Sequence, residues 1–405
     1  MKKMIGLASL ALAVILVLAG CPKPMGGNDQ PTTTTTTKTT ISVKRIVSFT
    51  GRVVYREKNE TVQFIVSVEP LDATNKTVHF QSSNEAIATV DNAGLVTVVS
   101  DTVWEQATIT ATSEDGNYTA TCTIVVIQKP TATMPDANSF VTISAGSMPL
   151  FYDAGPSHVT LTKAFQICDH EVTQKEWCDV FGADNNPSHF NGSSGKEADS
   201  SEIQENRPVE MVNWYMAIAY CNKRSIKEGL TPCYSAQSGE SDVDFTSISY
   251  ATEYNWTNVT CNFSANGYRL PTEAEWEIAA RGGVTGDVYA GTAAETDLRN
   301  YAWYEANSSS KTHAVKKKSA NGYGLYDMSG NVFEWCWDGV VYGYSSSGVQ
   351  TDPQGAPSAS FHVNRGGGWN YRAWSCRASY RYSHSSDYCD KSLGFRLARS
   401  CSKKK

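Results

Sequence analysis

Between Arg365 and Arg396 the chain reads RGGGWNYRAWSCRASYRYSHSSDYCDKSLGFR. Stiff words (Arg365-Gly366-Gly367-Gly368-Trp369, Cys376-Arg377-Ala378-Ser379, Leu393-Gly394-Phe395-Arg396) alternate in it with runs of Tyr, Ser, His, Asp and Arg that follow no core pattern. A buried strand would use Val, Ile and Leu instead. Six aromatics (Trp369, Tyr371, Trp374, Tyr380, Tyr382, Tyr388) fall in the 24 residues from Trp369 to Ser392, against 11% aromatic overall. Tyr mixed with small polar residues is the composition of antibody paratopes, where rigid rings give contact area at low entropic cost. Any fold that carries this stretch has to present it as a surface, so the stretch reads as a binding face on a scaffold.

At 405 residues the chain has room for two to three domains. A net charge of −6 leaves no basic stripe to neutralise phosphates, which argues against nucleic acid as a partner. The N-terminus has the layout of an export signal: Lys2-Lys3, an apolar run from Ile5 to Ala19 too brief for a stable span, and Leu18-Ala19-Gly20-Cys21. This ending resembles a bacterial lipobox, in which Cys21 receives diacylglycerol and becomes the mature N-terminus. The resemblance implies a signal peptide over 1–20 and a lipid anchor in the bacterial envelope, expected at the outer membrane and cell surface. Pro22 to Thr40, nearly devoid of apolar residues, cannot offset its ordering entropy and is expected to be a disordered tether (21–40 with the anchor) of about 25 Å r.m.s. reach. Ten cysteines follow Cys21. In an exported chain they can pair, but no C-x-x-C with zinc spacing occurs and the connectivity stays open.

From 41 to 128 the pattern predicts strands: Val62-Gln63-Phe64-Ile65-Val66, Val78-His79-Phe80, Leu95-Val96-Thr97-Val98-Val99, Thr108-Ile109-Thr110-Ala111-Thr112 and Thr121-Cys122-Thr123-Ile124-Val125-Val126. Turn words such as Asp91-Asn92-Ala93-Gly94 separate them, as in a small all-β sandwich. The words Pro70-Leu71-Asp72-Ala73-Thr74-Asn75, Ser82-Ser83-Asn84-Glu85-Ala86-Ile87-Ala88-Thr89-Val90 and Gly94-Leu95-Val96 resemble the bacterial Ig-like group 2 family, whose modules act as spacers or adhesive repeats. A Pro-containing linker (129–138) follows. Beyond it apolar residues at three- and four-residue spacing predict helices over Thr173–Phe181 and Trp214–Lys227. A third is predicted after Pro271, opened by a capping box of Thr272 and Glu275. Helices early, then short strands and long loops, predict an α+β domain over 139–401.

Five words in the last 260 or so residues carry a resemblance: Glu171-Val172-Thr173; Arg207-Pro208-Val209-Glu210-Met211-Val212-Asn213-Trp214; Tyr268-Arg269-Leu270-Pro271-Thr272-Glu273-Ala274-Glu275-Trp276-Glu277; Gly322-Tyr323-Gly324-Leu325-Tyr326-Asp327-Met328-Ser329-Gly330-Asn331-Val332-Phe333-Glu334-Trp335; and the 365–396 stretch. Together they resemble the formylglycine-generating enzyme (sulfatase-modifying factor) family, which implies its C-type-lectin fold. The enzymes of that family hold Cu(I) between two thiolates five residues apart, as a soft ion requires. Here the second position is Cys376 but the first is Tyr371, so neither copper nor catalysis is expected, and the seven His residues lack the clustering of the related iron enzymes. The sequence is also similar to the variable proteins of diversity-generating retroelements, including treponemal surface lipoproteins, which display a mutable patch on this scaffold at about 365–396.

Tyr371, Arg372, Ser375, Tyr380, Tyr382, Ser383, His384, Tyr388, Asp390 and Ser392 can each arise from an Asn codon changed at its first two bases. Lys391 cannot but is counted with the patch, whereas Trp374 cannot and is expected to be framework. From Cys376 to Tyr382 an alternation is expected, Arg377, Ser379 and Arg381 on one face and Ala378, Tyr380 and Tyr382 on the other. The expected function is a membrane-anchored, ligand-binding surface lipoprotein whose patch meets a protein or glycan. The alternative is a copper-dependent oxidase of the formylglycine-generating type acting on cysteine. The resemblance further places a Ca²⁺ site on Asp327, Gly330, Val332 and Glu334, hard oxygen ligands of the kind calcium takes.

Overall fold

The computed structural model describes residues 40–48, 50–152, 155–249, 256–286, 288–340, 348–356 and 359–401; Cys21 and its flanking signal and tether fall outside them. The N-terminal unit contains β1 (Arg45–Ser48), β2 (Val53–Arg56), β3 (Thr61–Gln63), β4 (Val66–Glu69), β5 (Val78–Ser82), β6 (Ala88–Val90), β7 (Leu95–Val98), β8 (Gln106–Ser113) and β9 (Thr119–Val126). One sheet runs β2-β9-β8-β5 and another β3-β7-β6, with β1 paired to β4. Strict alternation makes β8 a sandwich strand: Ala107, Ile109, Ala111 and Ser113 point inward and the residues between them do not. They meet Cys122, Ile124 and Val126 of β9, with Phe64, Ala88, Val96 and Val98 completing the core. Burying each large apolar side chain here contributes about 1.5–3 kcal/mol.

The stretch Val62 to Val66, expected as one strand, is two. Phe64 is buried, its N–H donates to Gly94 O (2.8 Å), and its ring lies edge-on to Phe80. The chain therefore leaves the ladder with β7 after Gln63 and starts pairing with β1 at Val66.

The linker after β9 is tied down where it starts. Gln128 and Ser147 exchange two hydrogen bonds, and Lys129 donates its N–H to Glu57 and its amine to Glu60 (2.8 and 2.7 Å). Beside them Trp104 stacks on His158 (4.3 Å, 8°), donates its indole N–H to Thr160 (3.0 Å), and Tyr55 meets the same imidazole edge-on. The two domains thus share a packed joint.

The second domain has the three helices that local signals predicted: α1 (Gln174–Phe181), α2 (Trp214–Lys227) and α3 (Glu273–Arg281). Thr173 with Glu176 and Thr272 with Glu275 form reciprocal capping boxes, and the Asn213 side chain caps α2; each cap is worth about 1 kcal/mol. Around them lie β10 (Phe140–Ile143), β11 (Gly146–Tyr152), β12 (Gly155–Leu161), β13 (Phe165–Cys168), β14 (Tyr234–Ser238), β15 (Ser241–Asp242), β16 (Trp256–Cys261), β17 (Tyr268–Arg269), β18 (Phe333–Gly339), β19 (Val349–Thr351), β20 (Phe361–Arg365), β21 (Arg381–Ser385), β22 (Leu393–Gly394) and β23 (Ala398–Ser400). They make four small sheets, β10-β13-β23-β17, β11-β12-β19, β15-β14-β16 and β21-β20-β18-β22.

Trp177, Trp214, Trp335, Tyr220 and Phe395 fill one core, and Trp276 with Met148, Leu150 and Ile167 fills a second. The chain is an Ig-like sandwich followed by an irregular α+β domain of the C-type-lectin kind. All ten described cysteines are free thiols. Among the described residues no helix is long and apolar enough to cross a membrane.

Candidate functional site

The sheet β21-β20-β18-β22 carries the stretch that dominates the sequence. β21 pairs antiparallel with β20 in the register Arg365↔Arg381, Asn364↔Tyr382, Val363↔Ser383 and His362↔His384. Beneath it α3 presents Glu273 and Glu277, both fully buried. Arg381 Nε lies 2.9 and 3.0 Å from the two oxygens of Glu273; buried Arg365 contacts Glu277 and stands 3.4 Å from Glu273; Arg281 holds Glu277 at 2.7 Å. Burial pushes the Glu273 carboxyl up, and Arg365 and Arg381 act against that shift. An underside this charged is stable only while every partner is present, so the strand is clamped from below.

Between the strands the glycines do steric work. Gly366 and Gly367 have φ of +96° and +77°, and a Cβ on Gly367 would lie 2.8 Å from both Cys376 Sγ and Ser375 O. The turn lets Trp369 fold inward, where its N–H donates to Asn331 O, its indole donates to Lys391 O and its ring meets Phe190. Residues Ala373–Cys376 then form a 3-10 turn before β21 begins.

The outer surface is a row of rings. Trp374 stands edge-on to Tyr380 (5.0 Å), Tyr380 stacks towards Tyr382 (6.4 Å), Tyr382 meets His384 (4.9 Å), and His384 lies flat on Tyr388 (4.1 Å, 5°). Phe333 forms the floor under Tyr371, Tyr380 and Tyr382. Trp374, Tyr382 and Tyr388 are 50%, 42% and 39% exposed. Burial holds the His384 imidazole below its ordinary pKa against the pull of Asp390, and Asn364 Nδ2 sits 2.9 Å from its Nδ1.

Several expected members of the patch have other places. Ser375 and Ser392 are buried, at 1% and 2% exposure, because the glycine turn packs on the first and the Ser392 carbonyl accepts from Phe333 N–H. Asp390 is half-buried and caps a turn by accepting from the N–H and hydroxyl of Ser392 (2.8 and 2.6 Å). The Lys391 amine lies over the Trp369 ring. Tyr371, Tyr380 and Ser383 are half-buried, while Arg372 projects outward with a long 3.7 Å contact to Glu305.

Trp374, expected as framework, is part of the outer surface; a codon argument says which residues vary, not which are exposed. The expected alternation from Cys376 also fails, since Cys376 ends the 3-10 turn, Arg377 bridges to Tyr289 and is exposed, and Ala378 and Ser379 form a turn. Two-residue parity holds from Tyr380 onward. Phe333 and Asn364 were missed, and their place under the face is a tertiary fact with no local signal.

Residues 125–401 match the sulfatase-modifying factor enzyme 1-like domain family. The chain belongs to this family. Residues 45–124 match the bacterial Ig-like domain (group 2) family. The chain is 37% identical over 262 residues to Chaperone protein LppX of Paenibacillus barcinonensis, covering 60% of this chain and 82% of that protein. It is 34% identical over 157 residues to the formylglycine-generating enzyme of Streptomyces coelicolor, covering 35% of this chain and spanning half of that enzyme's length. The solved structure of Treponema denticola variable protein 1 is similar at 43% identity and a TM-score of 0.60, covering 67% of this chain and 99% of that one.

At the family's copper position, Cys376 packs with Tyr289, Leu298, Ala302 and Ala373, and burial pushes its thiol up to about 12. Tyr371 packs on the other core, against Phe333. The thiolate pair that Cu(I) needs does not form from these residues. At the family's calcium position the fit is partial. Asp327 is buried with one oxygen accepting from Lys316 N–H and Oδ1 without a hydrogen-bond partner. Glu334, however, is committed to Arg396 (both oxygens, 2.6 Å) and to the Trp276 indole. Glu171 lies close by, its carboxyl raised by burial and by Asp327 and Glu334.

Proposed function

We propose that this chain is a lipid-anchored surface protein that binds a protein or glycan through the ring face of β21, and that it does not catalyse a reaction. The observation that carries the reading is the division of β21. Arg381 is bound to buried Glu273 while Tyr382 and His384, on the other parity, continue a row of rings from Trp374 to Tyr388. A face built in this way accepts new side chains without disturbing the clamp below it. Similarity to Treponema denticola variable protein 1 supports the further reading that the outer positions are diversified by a retroelement. Ca²⁺ is proposed at the Asp327 turn, held by Asp327 Oδ1 with the carbonyls of Gly330 and Val332, as a structural ion that neutralises buried carboxylate charge.

The flanking DNA tests the central claim. A near-copy of the last hundred or so bases, differing from the gene at adenines of the copy, is expected beside it, and its absence together with no loss of cell or glycan-array binding in Tyr382→Ala overturns the reading. Incubating the protein with a cysteine-containing sulfatase-motif peptide, copper and oxygen is expected to yield no aldehyde. Aldehyde formation would establish the oxidase alternative.

A further inference from the structure

Among the described residues, two groups of metal-ligating side chains lie outside the ring face. In the first, Cys168, Asp169 and His170, the His170 Nδ1 is 2.5 Å from Asp169 Oδ1. That is the spacing of a shared proton, because two ligands bound at about 2.0–2.1 Å to one tetrahedral ion sit about 3.3 Å apart. The second group, Asp199, Glu202 and His313, has the wider spacing. His313 Nδ1 is 3.0 Å from Glu202 Oε1 and 3.5 Å from Asp199 Oδ2, and all three ligand atoms lie within 4.8 Å of one another.

We propose that Asp199, Glu202 and His313 form a binding site for a zinc-class divalent cation, with the fourth position open to water. His313 Nε2 lies 2.8 Å from the Ser308 carbonyl, an oxygen that can only accept. The ring therefore carries a proton on Nε2 and aims Nδ1 at the two carboxylates, an arrangement that a divalent cation between them satisfies. The ring is clamped flat on Trp303 (3.7 Å, 15°), and each carboxylate has an outer partner: Ala314 N–H on Glu202 Oε2 (2.9 Å) and Lys311 on Asp199 Oδ1. Such outer contacts orient ligands in zinc sites. Asp199 keeps 43% of its side chain in solvent, which leaves an entry path, and one imidazole with two carboxylates suits Zn²⁺ rather than Cu(I).

The ion would join two loops that border the ring face. In the same segment as His313, Glu305 N–H donates to Tyr371 O (2.9 Å) and Ser308 Oγ donates to Trp369 O (2.8 Å). Zinc bound at His313 therefore stiffens the edge of the face without entering it, and the inference stands whether or not the face is diversified.

The test uses the full chain, stripped with EDTA, returned to excess Ca²⁺, and titrated with ZnCl₂ against a chromophoric competitor. One equivalent is expected to bind tightly and to raise the melting temperature. Glu202→Gln and the half-exposed Asp199→Asn are each expected to weaken binding about tenfold or more and to remove the thermal shift, with Cys168→Ala binding like the parent. No binding by the parent, undiminished binding in both carboxylate variants, or loss in Cys168→Ala alone overturns the proposal.

Discussion

Arg381 reaches down to Glu273, which is wholly buried, whereas the next residue leaves 42% of its surface in solvent. Arg381→Ala removes one of the two guanidinium partners of a buried carboxylate and is expected to lower stability by about 2 kcal/mol, while Tyr382→Ala is expected to stay within about 0.5 kcal/mol of the parent. Urea melts of the two variants check this, and equal losses would mean that the strand has no clamped side. Glu210 makes a second prediction. Although the N–H groups of His189 and Phe190 donate to it (3.0 and 2.8 Å), burial pushes its carboxyl from 4.5 up to about 7. A folded-state value above the unfolded one contributes stability that is present below pH 4.5 and is lost as pH rises through 7. Stability is expected to fall across that window by on the order of 2–3 kcal/mol, and Glu210→Gln should flatten this part of the profile in denaturant melts at several pH values. For calcium, EGTA is expected to lower the melting temperature of the parent and to leave Asp327→Asn unchanged; a parent indifferent to chelator removes the site.

At the scale of elements, the turn through Gly366 and Gly367 decides where the ring face starts. Gly367→Ala forces a Cβ against Cys376 Sγ and Ser375 O in a left-handed conformation, so the 3-10 turn that carries Trp374 has to move. A loss of about 1–3 kcal/mol and a changed near-ultraviolet aromatic circular dichroism spectrum are expected, whereas Gly286→Ala, with nothing within 4 Å, should alter neither. What was legible in the sequence follows the same scale. The helices were readable because the apolar spacing of the first two and the Thr272–Glu275 capping box of the third act within a few turns of one backbone. The position of the face was readable because Tyr, Ser and His in 365–396 could not form a core. Burial of Ser375 and Ser392, exposure of Trp374, the split at Phe64 and the commitment of Glu334 to Arg396 were not readable. Each depends on what an element distant in sequence brings alongside, and no local pattern encodes that.

At the scale of the molecule, the joint around Trp104 and His158 couples the two domains. Trp104→Ala removes the ring stack and the hydrogen bond to Thr160 while leaving both cores intact. Calorimetry is expected to resolve separate transitions in that variant, and small-angle scattering to show a wider distribution of dimensions; a profile identical to the parent's would mean that the joint holds without the ring. With the anchor proposed at Cys21, Cys21→Ala should move the protein from the membrane fraction to the soluble one with its melting curve unchanged. The packed joint also has a mechanical consequence. Lys129 bound to Glu57 and Glu60, and Trp104 lying flat on His158, resist bending between the two domains. The rings of β21 are thereby carried with the stalk, and under the anchoring proposed above a pull on them is passed through the joint rather than taken up by it.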